Sequence, residues 1–153
     1  MLGEELNLSV YTIKEAKESL LPKSEVIFVS GLFASKIRAL GKANSLFDVK
    51  YVLGVGMMNY STKYENTVFS NNINIPNSFH YLPGGFDYSK LNKFEQFIMN
   101  IMKRYYVRLK AEADKEGKTL LPDDQDMYET LQSGFADKVS KEHLKRFLDG
   151  FVI

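Results

Sequence analysis

Three short apolar segments dominate the hydrophobic pattern of the chain. They read EVIFVSG at residues 25–31, VKYVLGVGMM at 49–58 and NSFHYLPGG at 77–85. The first two are continuous rather than alternating, which is typical of strands buried on both faces of a parallel sheet. Stretches of polar or helical character separate the three segments. The pattern therefore predicts an α/β fold with a parallel sheet.

Two weaker patterns precede the first of these strands. Residues 2–6 are too few for an independent helix and are typical of the last turn of one. Residues 8–16, LSVYTIKEA, alternate at Leu8 and Val10 and predict a short strand. The polar stretch KEAKESLLPKS that overlaps its end contains Pro22 and predicts a loop or a short helix.

A long amphipathic helix is predicted over residues 90–110. Its apolar residues recur at spacings of three and four and form one stripe, expected to face the core: Leu91, Phe94, Phe97, Ile98, Ile101, Met102, Tyr105 and Leu109. A basic cluster lies mostly off this stripe: Lys103, Arg104, Arg108 and Lys110. A helix of this kind also fits an anionic membrane surface or a partner protein, so both interpretations stay open.

The C-terminal part predicts a charged loop followed by a closing helix. The stretch 112–126 is charged and contains glycine and proline, so it is expected to be exposed. Ser140 is the expected N-cap of the closing helix and Gly150 its expected C-cap. Leu144 and Phe147, together with the adjacent Leu148, are expected to face inward.

Three glycine-bearing loops leave the predicted strands and are the candidate site. They read SGLFASK at residues 30–36, GVGMMNYS at 54–61 and LPGGFDYS at 82–89. Each carries an aromatic residue, and ligands of open α/β sheets bind beyond the carboxyl ends of the strands. In the third loop, Gly84 and Gly85 predict a sharp change of direction.

Each loop also has a purely structural interpretation, which the sequence leaves open. The first loop would be a strand-to-helix turn with Phe33 in the core. In the second, Gly54 and Gly56 would allow tight packing of a helix on the sheet. In the third, Asp87 or Ser89 would cap the following helix.

Composition narrows the range of functions. The net charge of +1 over 153 residues gives no field that favours nucleic acid. The absence of cysteine excludes disulfides, thiol catalysis and cysteine metal sites, and fits a reducing, cytoplasmic compartment. His80 and His143 are the only histidines and lie far apart in sequence, so no histidine metal site is predicted.

Membrane insertion and hydrolytic chemistry find little support in the sequence. No apolar run approaches the roughly 20 residues of a membrane span, and MLGEELNLSV does not read as a signal peptide. Neither a G-x-S-x-G elbow nor a Walker A loop occurs. Asp123, Asp124 and Asp126 lack the spacing of a calcium loop and are expected to be solvated. No catalytic acid, base or nucleophile is assigned.

These segments resemble a flavodoxin-like family, in the branch that includes the menaquinone-dependent protoporphyrinogen dehydrogenases. SEVIFVSGLFASKIRAL resembles the third strand and the first loop beside the flavin ring, and YVLGVGMMNYS resembles the fourth strand and the second such loop. HYLPGGFDYSKLNKFEQFIMNIMKR resembles the segment after the fifth strand, where this branch carries an insertion and a long helix, here about 84–122. ADKVSKEHLKRFLDGF resembles the closing helix, so the resemblance runs from about residue 5 to the end of the chain.

The resemblance implies a single flavodoxin-like domain over 1–153, with a three-layer parallel sheet and FMN as cofactor. Its activity would be electron transfer or porphyrinogen oxidation, with a quinone or another redox partner. The implied flavin contacts fall in three groups along the chain: Gly31, Leu32, Phe33, Ala34 and Ser35, then Gly56, Met57, Met58, Asn59 and Tyr60, then Gly84, Gly85 and Phe86.

The chain departs from the family pattern at its start. The family's first strand and its Ser/Thr- and Gly-rich phosphate loop have no counterpart here, so we expect an N-terminally truncated domain that binds FMN weakly. The strand at 25–31 would keep an open edge, which residues 8–16 or another chain could cover by self-association. The alternative function is a non-enzymatic interaction module that docks a membrane or a partner through helix 90–110.

Overall fold

The computed structural model describes residues 2–151 and shows a mixed α/β protein. The chain divides into two compact units. The first unit contains the chain up to Gly56, Tyr60–Leu82 and the chain from Ser140 onward, and the second contains Met57–Asn59 and Pro83–Val139. The second unit overlaps the predicted insertion, while the single flavodoxin-like domain stays a prediction.

Helices and strands alternate along the chain. The α-helices within residues 2–151 are α1 (Leu2–Glu5), α2 (Ile13–Ser19), α3 (Leu40–Leu46), α4 (Thr62–Asn71), α5 (Lys93–Lys115), α6 (Pro122–Ser133) and α7 (Lys141–Gly150). The strands of the same range are β1 (Glu25–Phe33), β2 (Lys36–Ile37), β3 (Asp48–Gly56), β4 (Phe79–Pro83), β5 (Gly85–Asp87) and β6 (Phe135–Asp137). No helix in this part of the chain is long and apolar enough to cross a membrane.

The main sheet has four strands, is mostly parallel and has the order β2-β1-β3-β4. β1 and β3 run parallel, with a register shift between Val26 and Ile27. β2 is antiparallel to β1 and pairs with Leu32 and Phe33. The predicted α/β class and the three principal strands are confirmed, whereas the three-layer, flavodoxin-like arrangement stays a prediction.

The core of the first unit contains residues of β3 and α7. Leu53, Leu144 and Phe147 are buried together, and Tyr51 packs against them. The rings of Tyr51 and Phe147 meet edge to face with their centres 5.9 Å apart. Burial of large apolar and aromatic groups of this kind is the main favourable term in folding.

The closing helix α7 begins as predicted. The hydroxyl of Ser140 accepts a hydrogen bond from the backbone N–H of His143 at 3.3 Å, and Leu144 and Phe147 are buried. Its predicted end is one residue off, because Gly150 is the last helical residue and Phe151 is the C-cap.

The strand predicted at residues 8–16 is wrong, because α2 begins within it. The Thr12 hydroxyl accepts the N–H of Glu15 at 3.3 Å, and the Glu15 carboxylate accepts the N–H of Thr12 at 2.8 Å. This reciprocal capping box satisfies N–H groups that a helix start leaves without partners. The capping box thus favours a helix more strongly than the weak alternation of apolar residues favours a strand. Residues 8–16 do not pair with β1.

β1 is half exposed rather than buried on both faces, so that prediction is wrong. Val29 is 48% exposed. On the side opposite β3, the described part of the chain provides only β2, which reaches Leu32 and Phe33. Within residues 2–151, positions 25–30 therefore have no strand partner on that side. The structure shows the open edge that the sequence analysis predicted, while self-association through it stays a prediction.

The second unit packs α5 against α6 and pairs β5 with β6 in antiparallel orientation. Its buried side chains are Phe86, Glu95, Met99, Met127, Thr130 and Leu131. The loop predicted over 112–126 is wrong, since this stretch completes α5 and begins α6, but its predicted exposure is confirmed for most of its residues. Only a short link separates the two helices: Gly117 has a left-handed φ of 67° and Pro122 lies in the first turn of α6.

The apolar stripe of α5 faces the core only in part, since Leu91, Ile98, Met102 and Leu109 are partly buried and the other four residues are exposed. Phe94, Phe97, Ile101 and Tyr105 are 68, 59, 48 and 59% exposed. Met99, which was outside the predicted stripe, is buried instead. Apolar residues extend around much of this helix, so periodicity identified the helix but could not choose which side packs.

Candidate functional site

The carboxyl ends of β1 and β3 lie side by side in the first unit. The two strands are parallel, and Gly31 pairs with Val55. Ligands of open α/β sheets bind beyond such strand ends. A Cβ added to Gly31 would have no atom within 4 Å, so the chain is open at this position.

The first candidate loop is a β-hairpin rather than a strand-to-helix turn. β1 continues through Leu32 and Phe33, and Ala34 and Ser35 form a two-residue turn with φ of 48° and 61° before β2. Two-residue hairpin turns with left-handed backbone favour Asn and Gly, which lack the steric penalty of other residues. The turn is therefore strained, and other contacts must hold it.

Asn72 at the end of α4 holds this hairpin. Its side-chain N–H donates to the carbonyl of Ser35 at 2.9 Å and to that of Val68 at 2.7 Å. Its side-chain oxygen accepts the N–H of Ile37 at 2.9 Å. One amide thus joins both sides of the turn to α4.

An arginine lies beside the aromatic residue of the hairpin. The guanidinium carbon of Arg38 is 5.6 Å from the centre of the Phe33 ring. The backbone of Arg38 is fixed on β1, since its N–H donates to the carbonyl of Gly31 at 3.1 Å and its carbonyl accepts the Ser30 hydroxyl at 2.8 Å. Phe33 is half-buried rather than part of the core.

The glycines at the end of β3 are required by packing. A Cβ on Gly54 would lie 2.9 Å from the Phe79 ring, and one on Gly56 would lie 3.0 Å from the Tyr81 ring. Both separations are shorter than normal contacts between carbon atoms. Gly54 and Gly56 therefore have a packing role, but they make room for rings of the neighbouring strand β4 and not for a helix on the sheet as predicted.

Tyr60 carries a second, closer arginine on its ring. The guanidinium carbon of Arg146 lies 3.4 Å from the ring centre. The same guanidinium donates to the Glu65 carboxylate at 3.0 Å and to the carbonyl of Tyr81 at 2.9 Å. Glu65 also accepts the N–H of Tyr81 at 2.7 Å. We call Tyr60, Glu65, Tyr81 and Arg146 the arginine cluster.

His80 lies next to the arginine cluster in β4. Partial burial lowers the pKa of His80 below its ordinary value, the Glu65 charge opposes this shift and the Arg146 charge adds to it. Its ring meets that of Phe147 with centres 5.4 Å apart. Burial thus favours the neutral imidazole of His80.

Sequence reasoning missed the arginine cluster. Arg146 is 81 residues from Glu65 and 65 residues from Tyr81 along the chain. No local signal marked it, because Lys145 and Arg146 both lie between Leu144 and Phe147 in sequence and only the fold leaves Arg146 partly buried.

The remaining predicted site residues belong to the second unit: Met57, Met58, Asn59, Gly84, Gly85 and Phe86. The carbonyl of Met57 accepts the Nζ of Lys138 at 2.7 Å, and Lys138 also pairs with Asp126. The prediction that Asp126 is only solvated is therefore wrong, because its carboxylate pairs with Lys138.

The sharp loop predicted at the double glycine is wrong. Neither Gly84 nor Gly85 has a left-handed φ, and Gly85 begins β5. Phe86 is buried and pairs with Ala136 of β6. The chain stays extended here because β6 provides a ladder partner. A flavin contact by these three predicted residues stays a prediction.

No protein-family model, curated protein or solved structure matches this chain.

Proposed function

We propose that the chain is a flavodoxin-like redox protein that holds a flavin ring at the carboxyl ends of β1 and β3. The main support for this proposal is the parallel pairing of Gly31 with Val55, which brings the first candidate loop and the start of the second, residues 54–56, to one sheet edge in the first unit. The open position at Gly31 and the partly exposed rings of Phe33 and Tyr60 support it. Aromatic rings of this kind stack on flat conjugated ligands.

The residues present fit the ring of FMN better than its phosphate. Phosphate binds where backbone N–H groups at a helix start are available. In the first unit, Thr12, Ser61 and Ser140 already accept those N–H groups at α2, α4 and α7. Glu15 and Glu65 add negative charge in the first turns of α2 and α4. These helix starts therefore do not suit a phosphate.

Two arginines give the proposed site its electrostatic character. Arg38 lies beside Phe33 and Arg146 beside Tyr60. Positive charge near a ligand stabilises its more negative form. When bound, the flavin would supply the electron transfer itself, to a quinone or another redox partner, or from a porphyrinogen. The protein would bind and orient the ring and favour its reduced state.

The experiment is a parallel titration of the purified chain with FMN and riboflavin, followed by flavin fluorescence. FMN and riboflavin have the same flavin ring, and the proposed contacts are to that ring. The fluorescence of both flavins should therefore be quenched, with similar dissociation constants. Phe33→Leu and Tyr60→Leu should weaken both equally. Tyr11→Leu, at a half-exposed tyrosine away from these strand ends, is the matched control. Absence of quenching with both flavins would refute the proposal.

A clear preference for FMN over riboflavin would have a different meaning. It would show that the chain binds the phosphate at a place other than these helix starts. The proposed ring site would then be supported only if the Phe33 and Tyr60 variants still weakened riboflavin binding.

A second candidate function is a non-enzymatic interaction module. The exposed apolar residues of α5 favour it. This candidate does not depend on flavin binding.

A further inference from the structure

One side of α5 presents four apolar residues to solvent. They are Phe94, Phe97, Ile101 and Tyr105, and we call them the aromatic face. Their spacings of three, four and four place them on one side of the helix, over about three turns. Single exposed apolar residues are ordinary on protein surfaces, but a contiguous row marks an interaction site.

The helix does not need the aromatic face for its own stability. α5 packs on α6, and its buried residues are Glu95 and Met99. The Asn92 side chain accepts the N–H of Glu95 at 2.9 Å, and the Glu95 carboxylate accepts the N–H of Asn92 at 3.1 Å. This capping box fixes the start of the 23-residue helix. The aromatic face is thus preformed and available.

The charges beside the aromatic face are mostly positive, although the exposed Glu112 lies on the same side of the helix one turn after Arg108. Lys93, Arg104 and Arg108 are exposed. Between residues 93 and 111 the sequence holds one acidic residue, Glu95, whose buried carboxylate takes part in the cap. An occupant of this face therefore meets an apolar row flanked by cations.

We propose that the aromatic face docks on an anionic lipid surface, with α5 lying in the plane of the membrane. Amphipathic helices of this type bury aromatic and aliphatic side chains at the boundary between headgroups and acyl chains, while Lys and Arg contact anionic headgroups. The long stems of Arg104 and Arg108 let their charges reach the headgroups beside a buried apolar row. The excess of positive charge over residues 93–111 favours anionic lipid as the occupant.

Vesicle co-sedimentation of the full chain tests this proposal. The wild type should sediment with vesicles that contain phosphatidylglycerol, and much less with phosphatidylcholine alone. Added salt should weaken the binding, because exposed charges are screened. Phe97→Ser/Ile101→Ser should abolish binding, and Arg104→Gln/Arg108→Gln should reduce it to the level of neutral vesicles.

Matched controls alter exposed positions elsewhere in the chain. Val10→Ser/Ile73→Ser removes two apolar residues that are 81 and 84% exposed. Lys14→Gln/Lys63→Gln removes two exposed cations of α2 and α4. Both doubles should bind anionic vesicles like the wild type, and circular dichroism should show all variants folded.

Three outcomes would overturn the proposal. The wild type could fail to sediment with anionic vesicles. The control doubles could lose binding as strongly as the variants of the aromatic face, which would indicate non-specific attraction. Sedimentation velocity without lipid could show a dimer that Phe97→Ser/Ile101→Ser abolishes, with no vesicle binding, which would assign the face to a second copy of the chain.

Discussion

The guanidinium of Arg146 stacks on the Tyr60 ring and donates hydrogen bonds to Glu65 and to the backbone of Tyr81. One side chain of α7 thereby contacts α4, β4 and Tyr60 of the second candidate loop. The Glu65–Arg146 pair is only partly exposed, with side-chain exposures of 19 and 36%. A pair with this shielding, completed by backbone hydrogen bonds, contributes more than an ordinary surface salt bridge.

We expect Arg146→Met to destabilise the first unit by about 1–3 kcal/mol, because it leaves the Glu65 carboxylate and the Tyr81 carbonyl without their charged donor. Arg146→Lys should recover only part of this loss, since an ammonium lacks the planar fork that stacks and donates to two acceptors at once. Urea unfolding followed by circular dichroism measures the difference.

The control for this prediction is Lys145→Met, which removes an exposed cation one position earlier in α7. It should change the free energy of unfolding by less than about 0.5 kcal/mol. A double-mutant cycle with Glu65→Gln should show coupling between positions 65 and 146. Equal effects of Arg146→Met and Lys145→Met would contradict the structural role of the cluster.

Two glycines of neighbouring strands should respond differently to alanine. At Gly54 the new Cβ would press on the Phe79 ring at 2.9 Å, whereas at Gly31 it would have no atom within 4 Å. We expect Gly54→Ala to cost about 1–3 kcal/mol through overpacking. Gly31→Ala should stay within about 0.5 kcal/mol of the wild type. Chemical denaturation of both variants measures their free energies of unfolding. Equal losses for the two variants would contradict the close packing at Gly54.

The lowered pKa of His80 predicts a loss of stability on mild acidification. Burial disfavours the charged imidazole, so the unfolded chain takes up a proton more readily than the folded one. The contribution is complete above the ordinary histidine pKa of about 6.5 and is lost as the pH falls through the lower folded pKa. His80→Gln should therefore flatten the fall in melting temperature below neutral pH.

His143→Gln is the matched control, since it removes the other histidine of the chain. Melting curves of the wild type and both variants between neutral pH and about pH 5 give the slopes to be compared. If the melting temperature of His80→Gln fell with pH as steeply as that of the wild type, burial of the imidazole would not contribute to the loss of stability in acid.

Local sequence was sufficient for the elements whose signal is short-range. The continuous apolar runs identified β1 and β3, because consecutive β-branched and aromatic residues favour an extended strand even where one face stays exposed. Ser140 and the inward positions Leu144 and Phe147 identified α7, because a helix cap and its first turns are neighbours in sequence.

The predictions from sequence were wrong where two local patterns favoured different structures. The alternation near Val10 indicated a strand, yet the capping box of Thr12 and Glu15 starts a helix. The double glycine at Gly84 and Gly85 indicated a turn, yet the chain remains extended because β6 pairs with β5. Glycine permits unusual backbone angles without requiring them.

The sequence by itself determined the α/β class, the principal strands and the amphipathic character of α5. Only the tertiary structure decided that Met99 packs inward while Phe97 stays exposed, and that Arg146 meets Tyr60 and Glu65. Periodicity and caps arise among residues a few positions apart. The choice of a buried face and the meeting of distant charges depend on how the elements pack, which local sequence does not encode.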